Sequence, residues 1–97
     1  MKTLLLILGI TAILGASEGA DLFKKCASCH GSNAEKHALN KSKIINEMSQ
    51  EEIITALKGY KDGSYGGSMK ALMKGQVAAY DDKQIKTLAA FIAAKKQ

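Results

Sequence analysis

The chain has 97 residues, a formal charge of +5, two cysteines, no proline and no tryptophan, so it holds at most one small domain. Hydrophobic residues make up 46%, but many of them fall in the first sixteen positions, which leaves modest core material for the rest. Every cation is a lysine, and a surface without arginine lacks the planar bidentate forks used for phosphate recognition, which argues against nucleic acid as a partner.

Met1-Lys2-Thr3 is a short positive start, Leu4 to Leu14 is an apolar run of eleven residues, and Gly15 to Ala20 is mostly small. That order is the layout of a secretory signal peptide. A spanning helix needs ~20 apolar residues, so a permanent membrane anchor is not expected. The reading divides the chain into a cleaved leader at residues 1–17, with the cut falling between 15 and 20, and a domain at 18–97. From Glu18 onward thirteen lysines face nine acids, a balance of +4 that favours association with acidic proteins.

Asp21 to Cys26 reads as a short helix with Leu22, Phe23 and Cys26 on one side. Gly31 to Lys43 reads as a loop with at most a turn of helix. Ser49 and Glu52 form a capping box that opens a helix expected to run to Lys58 and stop at Gly59, with Ile53, Ile54 and Leu57 as its buried stripe. Gly59 to Gly67 carries four glycines in nine residues and must turn or approach something closely. Asp81 caps a last helix, with Gln84 three residues on, a stripe of Ile85, Leu88, Ala89 and Ile92, and lysines at its end. Three helices and no run of period-two alternation make the fold class all-α.

A domain of about 80 residues usually needs a staple. A disulfide between Cys26 and Cys29 would close too short a loop to serve as one. Cys26-Ala27-Ser28-Cys29-His30 is C-x-x-C-H, the attachment signature of c-type haem. On a helix, residues three apart share a face, so both sulfurs can meet the two vinyl groups of one porphyrin. His30 then follows beneath the ring as an iron ligand. A thiol–disulfide redox pair would want a βαβ surround and a cis-proline that this chain lacks. A zinc site from Cys26, Cys29, His30 and His37 would crowd adjacent ligands onto one tetrahedral ion.

Iron also has a sixth position. His37 lies only seven residues after His30 and would have to cross the ring within a short loop, so a solvated role fits it better. Met48, just before the capping box, reads as a core filler. Met69 and Met73 follow the glycine cluster in a segment with little helix restraint, and either can close over the other face.

Asp62-Gly63-Ser64-Tyr65-Gly66-Gly67 followed by Lys70-Ala71-Leu72-Met73, with Leu22-Phe23-Lys24-Lys25-Cys26 and Gly59-Tyr60, resembles the small single-haem class I cytochromes c of bacteria. The likeness covers essentially the whole exported chain. It implies N- and C-terminal helices packed together around one covalent haem c. It also implies His/Met ligation with the K-A-x-M methionine, Met73, as distal ligand, and Tyr60 and Tyr65 as haem contacts. Many relatives have a proline after the motif whose carbonyl accepts the proximal imidazole N–H; without one, either a carbonyl in the Ala38 to Lys43 loop takes over or the imidazole is oriented less firmly.

With both axial positions filled, electron transfer is favoured over oxygen chemistry. The expected role is a periplasmic carrier between respiratory complexes, with a peroxidase-like or thiol–disulfide enzyme using Cys26 and Cys29 as the alternative. Lys24 and Lys25 flank the motif and Lys70 and Lys74 flank the methionine, a basic rim for acidic partners such as a terminal oxidase, peroxidase or reductase complex. The haem would be the missing staple, gathering Leu22, Phe23, Ile53, Ile54, Leu57, Leu72, Ile85, Leu88, Phe91 and Ile92 around it.

Overall fold

The computed structural model describes residues 18–40 and 43–95. The expected leader at residues 1–17 lies outside the described residues, as do Lys41, Ser42, Lys96 and Gln97. Four helices carry the described fold: α1 over residues 18–30, α2 over Gln50–Asp62, α3 over Lys70–Val77 and α4 over Asp82–Ala93. Among the described residues there is no strand, only an isolated antiparallel bridge between His37 and Ile44. The fold is all-α, as expected.

The helix expected from Asp21 to Cys26 is the middle of a longer one that includes Glu18 to Ala20 and continues through both cysteines to His30. Packing explains the extension. Gly19 is buried, and a Cβ there would lie 2.8 Å from the Cβ of Phe91 on α4. One turn on, the Phe23 ring meets the Phe91 ring at a centroid distance of 5.5 Å. The N- and C-terminal helices therefore cross with backbone pressed close to an aromatic side chain. Tyr80, just before α4, adds a clasp by donating its hydroxyl to the Leu22 carbonyl at 2.6 Å, while the Lys25 ammonium sits 4.4 Å from its ring centroid.

The capping box at α2 forms as read: the Ser49 hydroxyl accepts from the Glu52 amide and the Glu52 carboxylate accepts from the Ser49 amide. The expected stop at Gly59 does not occur. The helix gains another turn to Asp62 and ends at Gly63, whose φ of 87° supplies the left-handed cap. Glycine inside a helix is ordinarily unfavourable by about 1 kcal/mol, but at position 59 the missing side chain makes room for Tyr65, whose Cβ lies 2.4 Å from where a Gly59 Cβ would stand.

α3 lies where the sequence predicts a loop. Lys70-Ala71-Leu72-Met73-Lys74 are all good helix formers. Its start lacks a signal because Met69 occupies the N-cap and makes no capping bond. Both α3 and α4 pack on α2. The α4 stripe is the centre of the core: Ile85, Leu88 and Ala89 are fully buried and Ile92 nearly so, against Ile53, Leu57 and Phe23. Ile54 and Phe91 are only partly buried, and Leu72, expected in the core, is 45% exposed because its face of α3 turns outward; Val77 and Tyr80 take the interior places instead.

The short turn Ile45–Glu47 brings one buried polar side chain to this core. The Asn46 amide donates to the Asn33 carbonyl at 2.9 Å and the Lys95 carbonyl at 3.4 Å, tying the loop after the cysteine motif to the end of α4.

Candidate functional site

The last turns of α1 carry Cys26, Cys29 and His30, so helical spacing places the two sulfurs on one face and the imidazole directly after them. Both cysteines are half-buried, while His30 is buried at 5% exposure. Burial holds the imidazole below the ordinary histidine range, so it is neutral near pH 7 with a lone pair available to a metal.

A cavity of ≈ 340 Å³ opens beneath this helix end. Cys26, His30, Tyr60 and Met73 line it together with core residues such as Leu57 and Leu88. A smaller cavity of ≈ 110 Å³ shares Cys26, His30, Tyr60 and Met73 and adds Cys29, Met69 and Leu72. The second adjoins the first and reaches the surface at Leu39 and Leu72, 54% and 45% exposed, a mouth beside the cysteines that is separate from the main cavity's own exposed edge at Lys43, Gly66 and Gly67. Between them the two adjoining cavities carry both cysteine sulfurs, a neutral imidazole and a thioether, the donor set that a covalently held haem requires.

The methionines separate. Met73 lines both cavities, Met69 only the mouth, and Met48 packs on the core while lining the main cavity. His37 is exposed, and no cluster of three or more His, Cys, Asp or Glu side chains suited to a metal ion occurs among the described residues. Tyr60 and Tyr65 form an edge-to-face pair, with ring centroids 5.0 Å apart at 89°, on one wall of the main cavity. Tyr65 fits against Gly59, and Tyr60 presses on Gly66, where a Cβ would come 2.6 Å from its Cε1.

Of the two alternatives for His30, the structure agrees with the less firmly oriented imidazole: its Nδ1 is buried and has no hydrogen-bond partner. Nearby carbonyls are taken up by local turns: Ile44 accepts from the Glu47 amide, Ile45 from Met48, and the carbonyl of His30 itself from Lys36. Leaving a buried donor unpaired costs about 1–3 kcal/mol, a penalty found mainly at functional positions.

The four lysines of the expected rim stand differently. Lys25 lines the mouth and stacks on Tyr80; Lys24 is exposed and pairs with Asp21 at 3.3 Å. Lys70 and Lys74 are exposed on α3. Both lie within electrostatic reach of Asp62, whose carboxyl is held low first by its hydrogen bonds with Ser64 and then by these two cations. Leu39 at the mouth was not singled out by sequence, since it sits in the segment read as a loop; Leu72, expected among the side chains gathered around the haem, lines the mouth. Burial pushes the Cys26 thiol up against the opposing pull of Lys25, whereas thiol–disulfide enzymes depress a cysteine to make a thiolate.

The sequence profile of the family described as Cytochrome c matches residues 16–96. The chain is 40% identical to a cytochrome c-553 of Helicobacter pylori (strain ATCC 700392 / 26695), over 95% of this chain and 96% of that protein. It is 36% identical to a cytochrome c-553 of Nitratidesulfovibrio vulgaris (strain DSM 19637 / Miyazaki F), over 95% of this chain and 97% of that protein. A cytochrome c-553 of Desulfomicrobium norvegicum is 37% identical over 76% of this chain and 91% of its own length. With Cys26 and Cys29 positioned for attachment and an all-α fold closed by its terminal helices, the chain belongs to the cytochrome c family and is a haem c electron-transfer protein.

Proposed function

We propose that this cytochrome is an exported, periplasmic single-electron carrier whose haem iron is held between His30 and Met73. The observation that carries the reading is that His30 and Met73 both line the main cavity and the adjoining mouth, with Cys26 beside them. Met69 reaches only the mouth, which supports Met73 over its neighbour as distal ligand.

When bound, haem c would supply the one-electron couple. Cys26 and Cys29 would hold it by thioethers, and His30 and Met73 would hold its iron, one with a neutral imidazole and the other with a soft, uncharged sulfur that favours the ferrous state. With both of these side chains given to the iron, the group would serve electron transfer and not substrate chemistry. Ile53, Leu57 and Leu88 keep water from the interior. Tyr60 and Tyr65 brace the remaining wall as haem contacts.

Exchange of electrons with partners belongs at the mouth, where Leu39 and Leu72 offer an apolar centre and Lys25 a cation. Lys24, Lys70 and Lys74 extend the basic rim toward acidic redox partners, such as a terminal oxidase, peroxidase or reductase complex. Export rests on the leader pattern at residues 1–17. The packing of Gly19 on Phe91 supports a cut before Gly19 over one after it.

An alkaline pyridine haemochrome spectrum reports the covalent haem. Loss of the methionine-to-iron charge-transfer band in Met73→Ala, with the band kept in Met69→Ala, is the expected result. The reverse pattern transfers the distal role to Met69.

A further inference from the structure

The methionines among the described residues, Met48, Met69 and Met73, have different surroundings. Met48 and Met73 pack on the hydrophobic core and line the main cavity. Met69 does neither: it lines only the mouth, beside Cys29, Leu39 and Leu72. It is half-buried at the N-cap of α3, where it makes no side-chain capping bond. A helix start ordinarily favours serine, threonine or aspartate. Neither packing nor capping therefore accounts for a methionine here.

A thioether at an opening to the surface has a chemistry of its own. Its sulfur lone pair attacks a peroxide oxygen, the O–O bond breaks, an S=O bond forms and water leaves; the sulfur loses two electrons and the peroxide gains them. The sulfoxide that results is polar and disrupts a core, which is the damage oxidation would do at Met48. At Met73 it would also take away the soft lone pair offered to the iron. At Met69 the added oxygen faces the mouth, and the core and Met73 are left as they were.

We propose that Met69 is a peroxide-oxidation site that takes the first oxygen arriving at the mouth and so spares Met73. Met73 reaches the mouth as well, but it is packed on the core, and its sulfur is committed to the iron when haem is held. Met69, four residues earlier in the chain, keeps its lone pairs free. The proposal rests on the reading that Met73 holds the iron.

The test adds one equivalent of hydrogen peroxide to the intact ferric holoprotein and locates sulfoxide by peptide mass spectrometry, with the methionine-to-iron band recorded before and after. Met69 should be oxidised at least about fivefold more than Met48 or Met73, with the band kept. In Met69→Leu, an apolar replacement without a sulfur, the same peroxide falls on the remaining methionines, and sulfoxide at Met73 with loss of the band should rise about threefold. Oxidation of Met48 or Met73 as extensive as that of Met69, or a Met69→Leu band as resistant as that of the wild type, overturns the proposal. Met73 oxidised first with the band kept would give the iron to Met69 and overturn both readings. A holoprotein that shows no band before peroxide sinks the ligation reading, whereas a band beside even oxidation sinks only the role of Met69.

Discussion

Phe91 lies across the backbone of Gly19, so that a methyl group at position 19 would come 2.8 Å from the Phe91 Cβ. Both atoms sit next to their backbones, and no side-chain rotation relieves the overlap. Alanine gains about 1 kcal/mol of helix propensity over glycine. Overpacking costs about 1–3 kcal/mol, and at a contact between two Cβ atoms the upper part of that range applies. Gly19→Ala should therefore lose about 1–2 kcal/mol net, and Gly19→Val, bulkier and β-branched, about 2–3 kcal/mol. Guanidinium unfolding of the holoprotein measures both; a stabilised Gly19→Ala would show that the two helices can separate at little cost.

Tyr80 supplies a second tie between the same ends of the chain, and one that responds to pH. Burial raises its hydroxyl above the ordinary tyrosine range, and in the protein without haem a Cys26 thiolate adds to this. A group with a raised folded-state pKa contributes stability that is fully present below its unfolded value, about pH 10, and is lost as pH rises through the folded value. Tyr80→Phe removes the bond to Leu22 and with it this dependence. The variant should be less stable than wild type by about 1 kcal/mol from neutral pH to pH 9. Above pH 10 the gap should narrow. Tyr60, also raised by burial and then by Tyr65, titrates in both proteins and cancels in the difference. A gap that widens with alkali would contradict the assignment.

What could be read from sequence was what neighbours in the chain decide. Ser49 with Glu52 and Asp81 with Gln84 each close a capping box within four residues, and both formed. The α4 stripe repeats at helical spacing and is buried. The cysteine motif is contiguous, so its chemistry was visible at once. The misreadings involve partners from other elements. Gly59 looked like a stop signal because nothing local shows that Tyr65 will occupy the space beside it. Leu72 was expected in the core as an apolar side chain but faces the mouth, and apolar character cannot distinguish an interior position from the rim of a cofactor cavity. Tyr80 reaches back to Leu22 and Asn46 forward to Lys95, across stretches that no pattern spans. The choice of Met73 over Met69 came from family resemblance, and the cavity walls now give it a spatial argument.

Neighbouring glycines in the haem wall should differ sharply in tolerance. Gly66 has φ 115°, and a Cβ there would also lie 2.6 Å from the Tyr60 ring. Gly67 has nothing within 4 Å of its Cβ direction and no left-handed φ. Gly66→Ala should lose about 2 kcal/mol through backbone strain and displacement of Tyr60, whereas Gly67→Ala should stay within about 0.5 kcal/mol of wild type. Near-ultraviolet circular dichroism of the tyrosine pair gives a second readout, expected to change in the first variant alone. Equal losses would mean that Tyr60 moves aside freely.

The main cavity also predicts what becomes of the chain without its cofactor. Without haem the apolar walls formed by Ile53, Leu57, Val77, Leu88 and Ile92 lose the surface they pack on, and leaving such a side chain open to water forfeits about 1.5–3 kcal/mol each. Small domains are stable by about 5–15 kcal/mol in total, and a chain of this length sits toward the low end. The haem-free form must collapse around Leu57, Val77 and Leu88 or unfold, and collapse would require α2, α3 and α4 to abandon the packing that α4 organises. A Cys26→Ser/Cys29→Ser variant purified without haem should therefore show little helical circular dichroism and no cooperative thermal transition at neutral pH. A sharp transition with native helix content would mean that the core closes unaided, and that haem is a cargo of this fold instead of part of its interior.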